Sequence, residues 1–245
     1  MARRLIVLWL ILVLAACGSG NSDEETPPDV DALVLDAAQL MQDAETFSLE
    51  ITTEGASFGF FIEPPGIDPV EVSFNRAIGQ YATPGEIYAT VNVNVGRLTL
   101  DAVVYANGAD QWFKIPPIVD WVNSDFAEDF NPTRLVGGDS GFRAALASIV
   151  DLVYMGRDSI NGTGVYHISG TADGEDISSL LLSGLIDDMV GIVPVEIYLH
   201  RDTGYPVRLV VEQPGTATDT LPNTTWTVDV FDINKPSEII PPEGA

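Results

Sequence analysis

Residues 87–108, IYATVNVNVGRLTLDAVVYANG, decide the fold. Val91, Val93 and Val95 alternate with Asn92 and Asn94, the two-residue period of a strand with one face turned to a core. Gly96-Arg97 marks a turn, and Leu98, Leu100, Ala102 and Val104 then share one face of a second strand. Asn107-Gly108 makes a tight hairpin turn, because both residues tolerate positive φ. Gln111 to Ile115 returns as a third strand. Strands joined by turns this short pair antiparallel, since a parallel crossover needs a dozen or so residues.

The same period extends towards the N-terminus. Phe47, Leu49 and Ile51 alternate with polar residues, Ser57 to Glu63 forms a strand that ends at Pro64-Pro65-Gly66, and Val70, Val72 and Phe74 form another. Ahead of them Leu33, Ala37, Leu40, Met41 and Ala44 recur at helical spacing, with Asp29 or Asp31 placed to cap the helix. Towards the C-terminus Pro116-Pro117 breaks the sheet, Asp120 to Phe130 reads as a short helix or a loop, and Pro132 to Val136 connects. A helix capped by Asp139 or Ser140 runs to about Tyr154, with Phe142, Leu146, Ile149, Val150 and Val153 as its apolar stripe. Asn161-Gly162 turns into a strand over Gly164 to Gly170. Ile177 to Met189 is another helix, carrying Leu180, Leu181, Leu185 and Ile186. Val193 to Arg201, Val207 to Glu212 and Thr224 to Ile233 are the closing strands, and a Pro-rich, unpaired tail follows Lys235. The class is therefore α+β, one antiparallel sheet of about ten strands with helices grouped on one face.

The chain opens with Arg3 and Arg4, an apolar run from Leu5 to Leu14, then Ala15, Ala16 and Cys17. That order is a secretory signal, and the run is too short for an ordinary spanning helix of roughly 20 residues. Leu14-Ala15-Ala16-Cys17 resembles the bacterial lipobox. The resemblance implies cleavage after Ala16, diacylglycerol on the Cys17 thiol and an optional acyl chain on the new amino group. Two or more chains make a stable anchor. The expected organisation is a signal peptide over 1–16, a lipidated cysteine and flexible tether over 17–28, one domain over 29–235 and the tail over 236–245.

The whole chain carries a formal charge of −25. Loss of residues 1–16 removes two arginines and no acid, which leaves nine basic residues against 36 acidic ones and a net charge of −27. Such a body repels nucleic-acid backbones and does not adsorb flat on anionic lipid by charge. Cys17 is the only cysteine, so no intrachain disulfide and no thiol site is expected. The two histidines, His167 and His200, both lie within strand patterns and read as structural. Asp173-Gly174-Glu175-Asp176 lacks the spacing of a calcium loop and reads as a solvated turn. Asp187-Asp188 reads as the polar face of a helix. No catalytic residue, no metal and no cofactor beyond the covalent acyl groups on Cys17 is expected.

Five stretches stand in order: Asn131-Pro132-Thr133-Arg134-Leu135, Gly141-Phe142-Arg143-Ala144-Ala145-Leu146, Asn161 to Gly170 (NGTGVYHISG), Val195-Glu196-Ile197-Tyr198-Leu199 and Tyr205-Pro206-Val207-Arg208. Together they resemble the LppX/LprA/LprF/LprG family of mycobacterial-type lipoproteins. Tyr198 stands where the family usually has Trp. The resemblance implies a half-barrel, a strongly curved antiparallel sheet with helices on its concave face, similar to the LolA and LolB lipoprotein carriers. It also implies a cavity for acylated lipids or glycolipids between sheet and helices. The residues expected to line it are Val91, Val93, Val95, Leu98, Leu100, Leu146, Ile149, Val150, Val153, Leu181 and Leu185. The same apolar stripes would also serve an ordinary packed core. The expected protein is a monomeric, envelope-anchored lipid carrier on the outer face of the cytoplasmic membrane or elsewhere in the envelope, with a membrane transporter as a candidate supplier of cargo. The alternative is an envelope structural or sensor lipoprotein of the same fold that binds a protein partner.

Overall fold

The computed structural model describes residues 27–62, 70–108, 110–123, 141–182 and 189–244. The elements in chain order are α1 (Val30–Gln42), β1 (Thr46–Glu54), β2 (Gly59–Ile62), β3 (Val70–Ala82), β4 (Glu86–Val95), β5 (Leu98–Asn107), β6 (Asp110–Ile115), β7 (Val119–Asn123), α2 (Gly141–Ser148), β8 (Val150–Ile160), β9 (Thr163–Asp173), α3 (Gly174–Leu182), β10 (Ile192–His200), β11 (Pro206–Gln213) and β12 (Thr224–Phe231). The strands form one sheet in the order β7-β6-β5-β4-β3-β1-β12-β11-β10-β9-β8, and β2 pairs with the start of β3. Every pairing is antiparallel. The sheet is curved and open, and the helices lie on its concave face. The expected half-barrel is therefore the observed one, with two more strands than the sequence pattern predicts.

The sheet consists of two meanders, β1 to β7 and β8 to β12. Their seam is the β1–β12 pair, in which Ser48 faces Phe231 and Glu54 faces Thr225. The chain segment after β12 fastens the seam. Asn234 Oδ1 accepts the Glu45 amide at 2.8 Å, the Asn234 amide donates to the Thr46 carbonyl, and Thr46 Oγ1 donates to the Lys235 carbonyl at 2.6 Å.

Curvature has local causes. The ladder slips at Phe74/Arg76, Phe113/Ile115 and Tyr198/Leu199, and β8 slips twice against β9. Each slip bends its strand and tightens the twist. On the concave face of β3, a Cβ on Gly79 would stand 2.9 Å from Ala89 Cβ and 3.1 Å from the Tyr88 carbonyl oxygen. Side chains converge on the inside of a bend, and glycine there removes the atom that would collide.

The core lies between this face and the helices. Asp29 caps α1 by accepting the Ala32 amide at 3.2 Å, and α1 buries Val34, Ala37, Ala38 and Met41. From the sheet come Phe47, Leu49 and Ile51, Tyr81, Ile168, Ile197, Leu209, Trp226 and Val228. Phe47 stacks on Tyr81 at 4.9 Å and meets the edge of Phe142 from α2 at 5.5 Å. Trp226 is fully buried and donates Nε1–H to Gln213 Oε1 at 3.1 Å. The convex face carries a polar row across six strands. Arg76 pairs with Glu50, Glu50 stands beside Asp229, Arg208 forks onto Asp229, and Tyr198 stacks on His167 at 4.4 Å.

Three readings of local structure differ from the sequence pattern. The helix expected to reach Tyr154 ends at Ser148, and Val150–Ile160 is the long edge strand β8. Ser148 Oγ donates to the Ala145 carbonyl at 2.9 Å, the Ile149 amide turns to Leu146, and Asp151 takes φ +55°, so helical bonding stops there. The stretch left between helix and loop begins as strand β7, Val119–Asn123; residues 124–130 lie outside the described ones. The helix placed at Ile177 starts earlier, at Gly174. Its amide donates to the Gly191 carbonyl, and a Cβ there would meet the Met189 carbonyl oxygen at 2.2 Å. The tail pairs with no strand, yet Ser237 Oγ reaches Gln80 at 3.3 Å and Pro242 is buried.

Candidate functional site: an apolar trough on the concave face

The register fixes which side chains share the concave face. Tyr81 and Gly79 stand beside Ile87 and Ala89, and Ala77 and Phe74 beside Val91 and Val93. Across the next ladder Ala89 faces Val104, Val91 faces Ala102, Val93 faces Leu100 and Val95 faces Leu98. Val104 then faces Phe113, which faces Val122 at the edge. One apolar surface thus runs from the core to the edge strand β7.

The helices do not treat this surface evenly. The described helices pack over β1 and β9 to β12, where Phe47, Ile168, Ile197, Leu209 and Trp226 are buried with them. On the other half, Ala89, Val91, Val93, Val95, Leu100, Ala102 and Phe113 are each only half-buried, and Leu98 at the strand end is 63% exposed. The result is an apolar trough floored by β4 and β5, with the packed core as one wall. Its end is the β4–β5 turn.

The residues expected to line a cavity therefore separate. Val91, Val93, Val95, Leu98 and Leu100 lie together along the trough. Leu146, Ile149 and Leu181 are 5% exposed or less and belong to the packed core. Val150 and Val153 require correction: they are on β8, not on a helical stripe. They face Thr171 and Ser169, whose partners across β10 are Pro194 and Glu196, so they project from the convex side. They are 56% and 54% exposed. Leu185, Cys17, the Asn131–Leu135 motif and Asp187-Asp188 lie outside the described residues. Ala102, which the pattern puts on the face of Leu98 and Leu100, completes the trough with Ala89 and Phe113, and these two were missed in the sequence. Alanine is a weak signal in any pattern, and Phe113 is legible only once the β5–β6 register is known.

Polar chemistry in the trough is sparse. His167 lies on the convex face, with Nε2 3.3 Å from Glu196 Oε2. His200 Nδ1 accepts the amides of Asp202 and Thr203 at 3.1 and 3.4 Å and so closes the β10–β11 turn. Asp173 Oδ1 accepts the Glu175 amide at the start of α3. Among the described residues no cluster of His, Cys, Asp and Glu is arranged to hold a metal ion. A cleft of about 810 Å³ lies under the tail on the convex side, between Tyr88, Lys114, Trp121, Ile240 and Pro242. It does not open onto the trough, because Tyr88 and Lys114 project from the opposite face.

Comparison with known proteins agrees with this architecture. LprF from Mycobacterium bovis superposes with a TM-score of 0.62 at 17% identity, over 88% of this chain and 98% of that one. LppX from Mycobacterium tuberculosis superposes at 0.56 with 14% identity, over 88% and 100%. The lipoarabinomannan carrier protein LprG of M. tuberculosis is 24% identical over 187 residues, 73% of either chain. The LppX_LprAFG lipoprotein model matches residues 29–239, from the cap of α1 through the last strand and into the tail, and the chain belongs to that family.

Proposed function

We propose that the protein binds the acyl chains of a lipid or glycolipid in the concave trough and carries or presents that lipid within the cell envelope, tethered by the lipidated Cys17. The half-buried row Val91, Val93, Leu100 and Ala102 supports the reading most directly. It is an apolar surface continuous with the core that the described helices leave partly uncovered. Water is a poor neighbour for it, and each methylene transferred there from water gains about 0.8 kcal/mol. Seven or eight methylenes would supply roughly 6 kcal/mol with no charged contact. The relatives' description as a lipoarabinomannan carrier points the same way, towards an acylated glycan as cargo.

This function needs no catalytic group, and the trough supplies none among the described residues. The carrier works as a monomer on the outer side of the cytoplasmic membrane or elsewhere in the envelope. A membrane transporter is the natural supplier of cargo. The test is mass spectrometry of lipids extracted from the purified Cys17→Ser protein, which carries no lipid of its own. An acylated lipid present at near-stoichiometric amounts is expected; a protein that neither retains lipid nor takes it up from vesicles would sink the proposal.

A further inference from the structure

The two ends of the half-barrel differ in chemistry. At one end the connections are polar turns: Thr83-Pro84-Gly85, Asn107-Gly108, Asn161-Gly162 and Asp202-Thr203-Gly204. Asn161 and Gly162 take φ +51° and +83°, as a tight hairpin demands. The opposite end exposes aliphatic side chains. Leu98 follows the β4–β5 turn, Ile118 caps the β6–β7 turn, and Leu221 stands in the loop before β12. Val190 and Ile192 precede and open β10, and Val150 opens β8. They are 63%, 67%, 44%, 75%, 64% and 56% exposed. Antiparallel order puts all six at one end, because β5, β7, β8, β10 and β12 all begin there. Scattered exposed aliphatics are ordinary, but six gathered at one end, against Phe231 and Val122 towards the other among the described residues, mark a contact surface.

The position of the N-terminus says what that surface meets. The last turn of α1 lies at the polar end, where Leu40 comes within 3.1 Å of the Cβ position of Gly204. From there α1 runs back for about 20 Å and packs on α2, which leads directly into the start of β8. This packing carries Asp29 away from the polar end. Between Asp29 and the acyl chains on Cys17 lie only residues 18–28. Eleven residues reach at most about 40 Å when fully extended.

We infer that this aliphatic rim is a docking surface for the phospholipid bilayer that holds the anchor, so that the half-barrel stands end-on and the trough opens into the membrane. This rests on the anchored reading proposed above. Val95 and Leu98 join the trough to the rim, so an acyl chain leaves the bilayer and enters the trough without crossing water. The strongly acidic body does not favour adsorption of its flanks. Contact is made by side chains that penetrate the interface, with Arg97 beside Leu98 able to lay its stem on the surface and keep its charge among headgroups.

The experiment uses the lipid-anchored mature protein in phosphatidylcholine vesicles containing a nitroxide phospholipid. A single fluorophore is placed through Leu98→Cys, Val190→Cys or, at the polar end, Asn161→Cys; acylated Cys17 does not react. Quenching at 98 and 190 is expected to exceed that at 161 by about threefold or more, since interfacial groups sit 5–10 Å into the headgroup boundary. Equal quenching at both ends, or more at 161, overturns the inference. A label at Ile118→Cys tests the rim residues themselves: its quenching should fall to the polar-end level when Leu98→Ser and Val190→Ser are added. No fall would overturn the rim as the docking surface and leave the tether to set the orientation. Quenching needs no cargo, so rim contact without retained lipid removes the carrier function and keeps this inference. Retained lipid with even quenching does the reverse.

Discussion

Gly79→Ala puts one methyl group on the inside of the bend between β3 and β4. Its carbon would stand 2.9 Å from Ala89 Cβ, 3.1 Å from the Tyr88 carbonyl oxygen and 3.4 Å from Ala89 Cα. None of these neighbours is the far end of a flexible side chain, so the strands must separate. Overpacking of this kind costs about 1–3 kcal/mol. The loss of a strand glycine returns about 0.5–1 kcal/mol through the unfolded state. The net expectation is a destabilisation of roughly 0.5–2 kcal/mol, or about 2–6 °C in Tm for a chain of this size. Ala89→Gly removes the main obstacle, so the double variant should recover about 1 kcal/mol relative to the sum of the singles. Recovery stays incomplete because the Tyr88 carbonyl does not move away. Urea unfolding followed by far-ultraviolet circular dichroism measures all four corners of the cycle. A Gly79→Ala protein as stable as the parent, or strictly additive singles, would refute the claim that convergence on the concave face sets the curvature.

Val93→Asp and Leu100→Asp place a carboxylate on the trough floor and should cut co-purified lipid several-fold, whereas Val153→Asp on the convex side should leave it unchanged; lipid mass spectrometry compares the three. Trp226→Phe removes the Nε1–H donor from buried Gln213 Oε1 and should cost about 2–3 kcal/mol in chemical denaturation. Tyr105 donates to Glu86 at 2.8 Å, and burial, reinforced by Glu86, pushes its pKa up to about 12; burial and Glu196 do the same for Tyr198. A folded-state pKa above the unfolded value of about 10 favours the protonated phenol, so this contribution is intact below pH 10 and is lost between pH 10 and 12. Tyr105→Phe and Tyr198→Phe should each flatten the fall in Tm across that window.

The sheet was legible where its two faces differ in polarity. Val91-Asn92-Val93-Asn94-Val95 announces both its period and its buried side, and Asn107-Gly108 announces the turn that follows. The β8 strand was not legible for the opposite reason. Val150, Leu152, Val153, Tyr154 and Met155 are apolar on both faces, and they extend the stripe of α2 at helical spacing. Periodicity cannot separate strand from helix in such a run. What separates them is Asp151 at positive φ and the pairing of β8 with β9, and neither is written in the local pattern. The trough was half legible. The sequence showed that Val91, Val93, Leu98 and Leu100 share a face. Which part of that face the helices cover follows from strand order, a property of distant pairings.

The seam between the two meanders sets an order of events. All pairings other than β1–β12 join neighbours in the chain or strands a few tens of residues apart, so each meander can assemble from local contacts. The β1–β12 ladder instead joins residues such as Ser48 and Phe231. Closing so long a loop is entropically costly, and contacts of such separation form late. Trp226, at the centre of the core, arrives on that last strand. A chain delivered N-terminus first therefore holds an open, unfinished first half until β12 emerges. Asn234 and Lys235, just beyond β12, then latch the first strand to the last, and a chain without β12 would leave β1 without its seam partner and the core without Trp226.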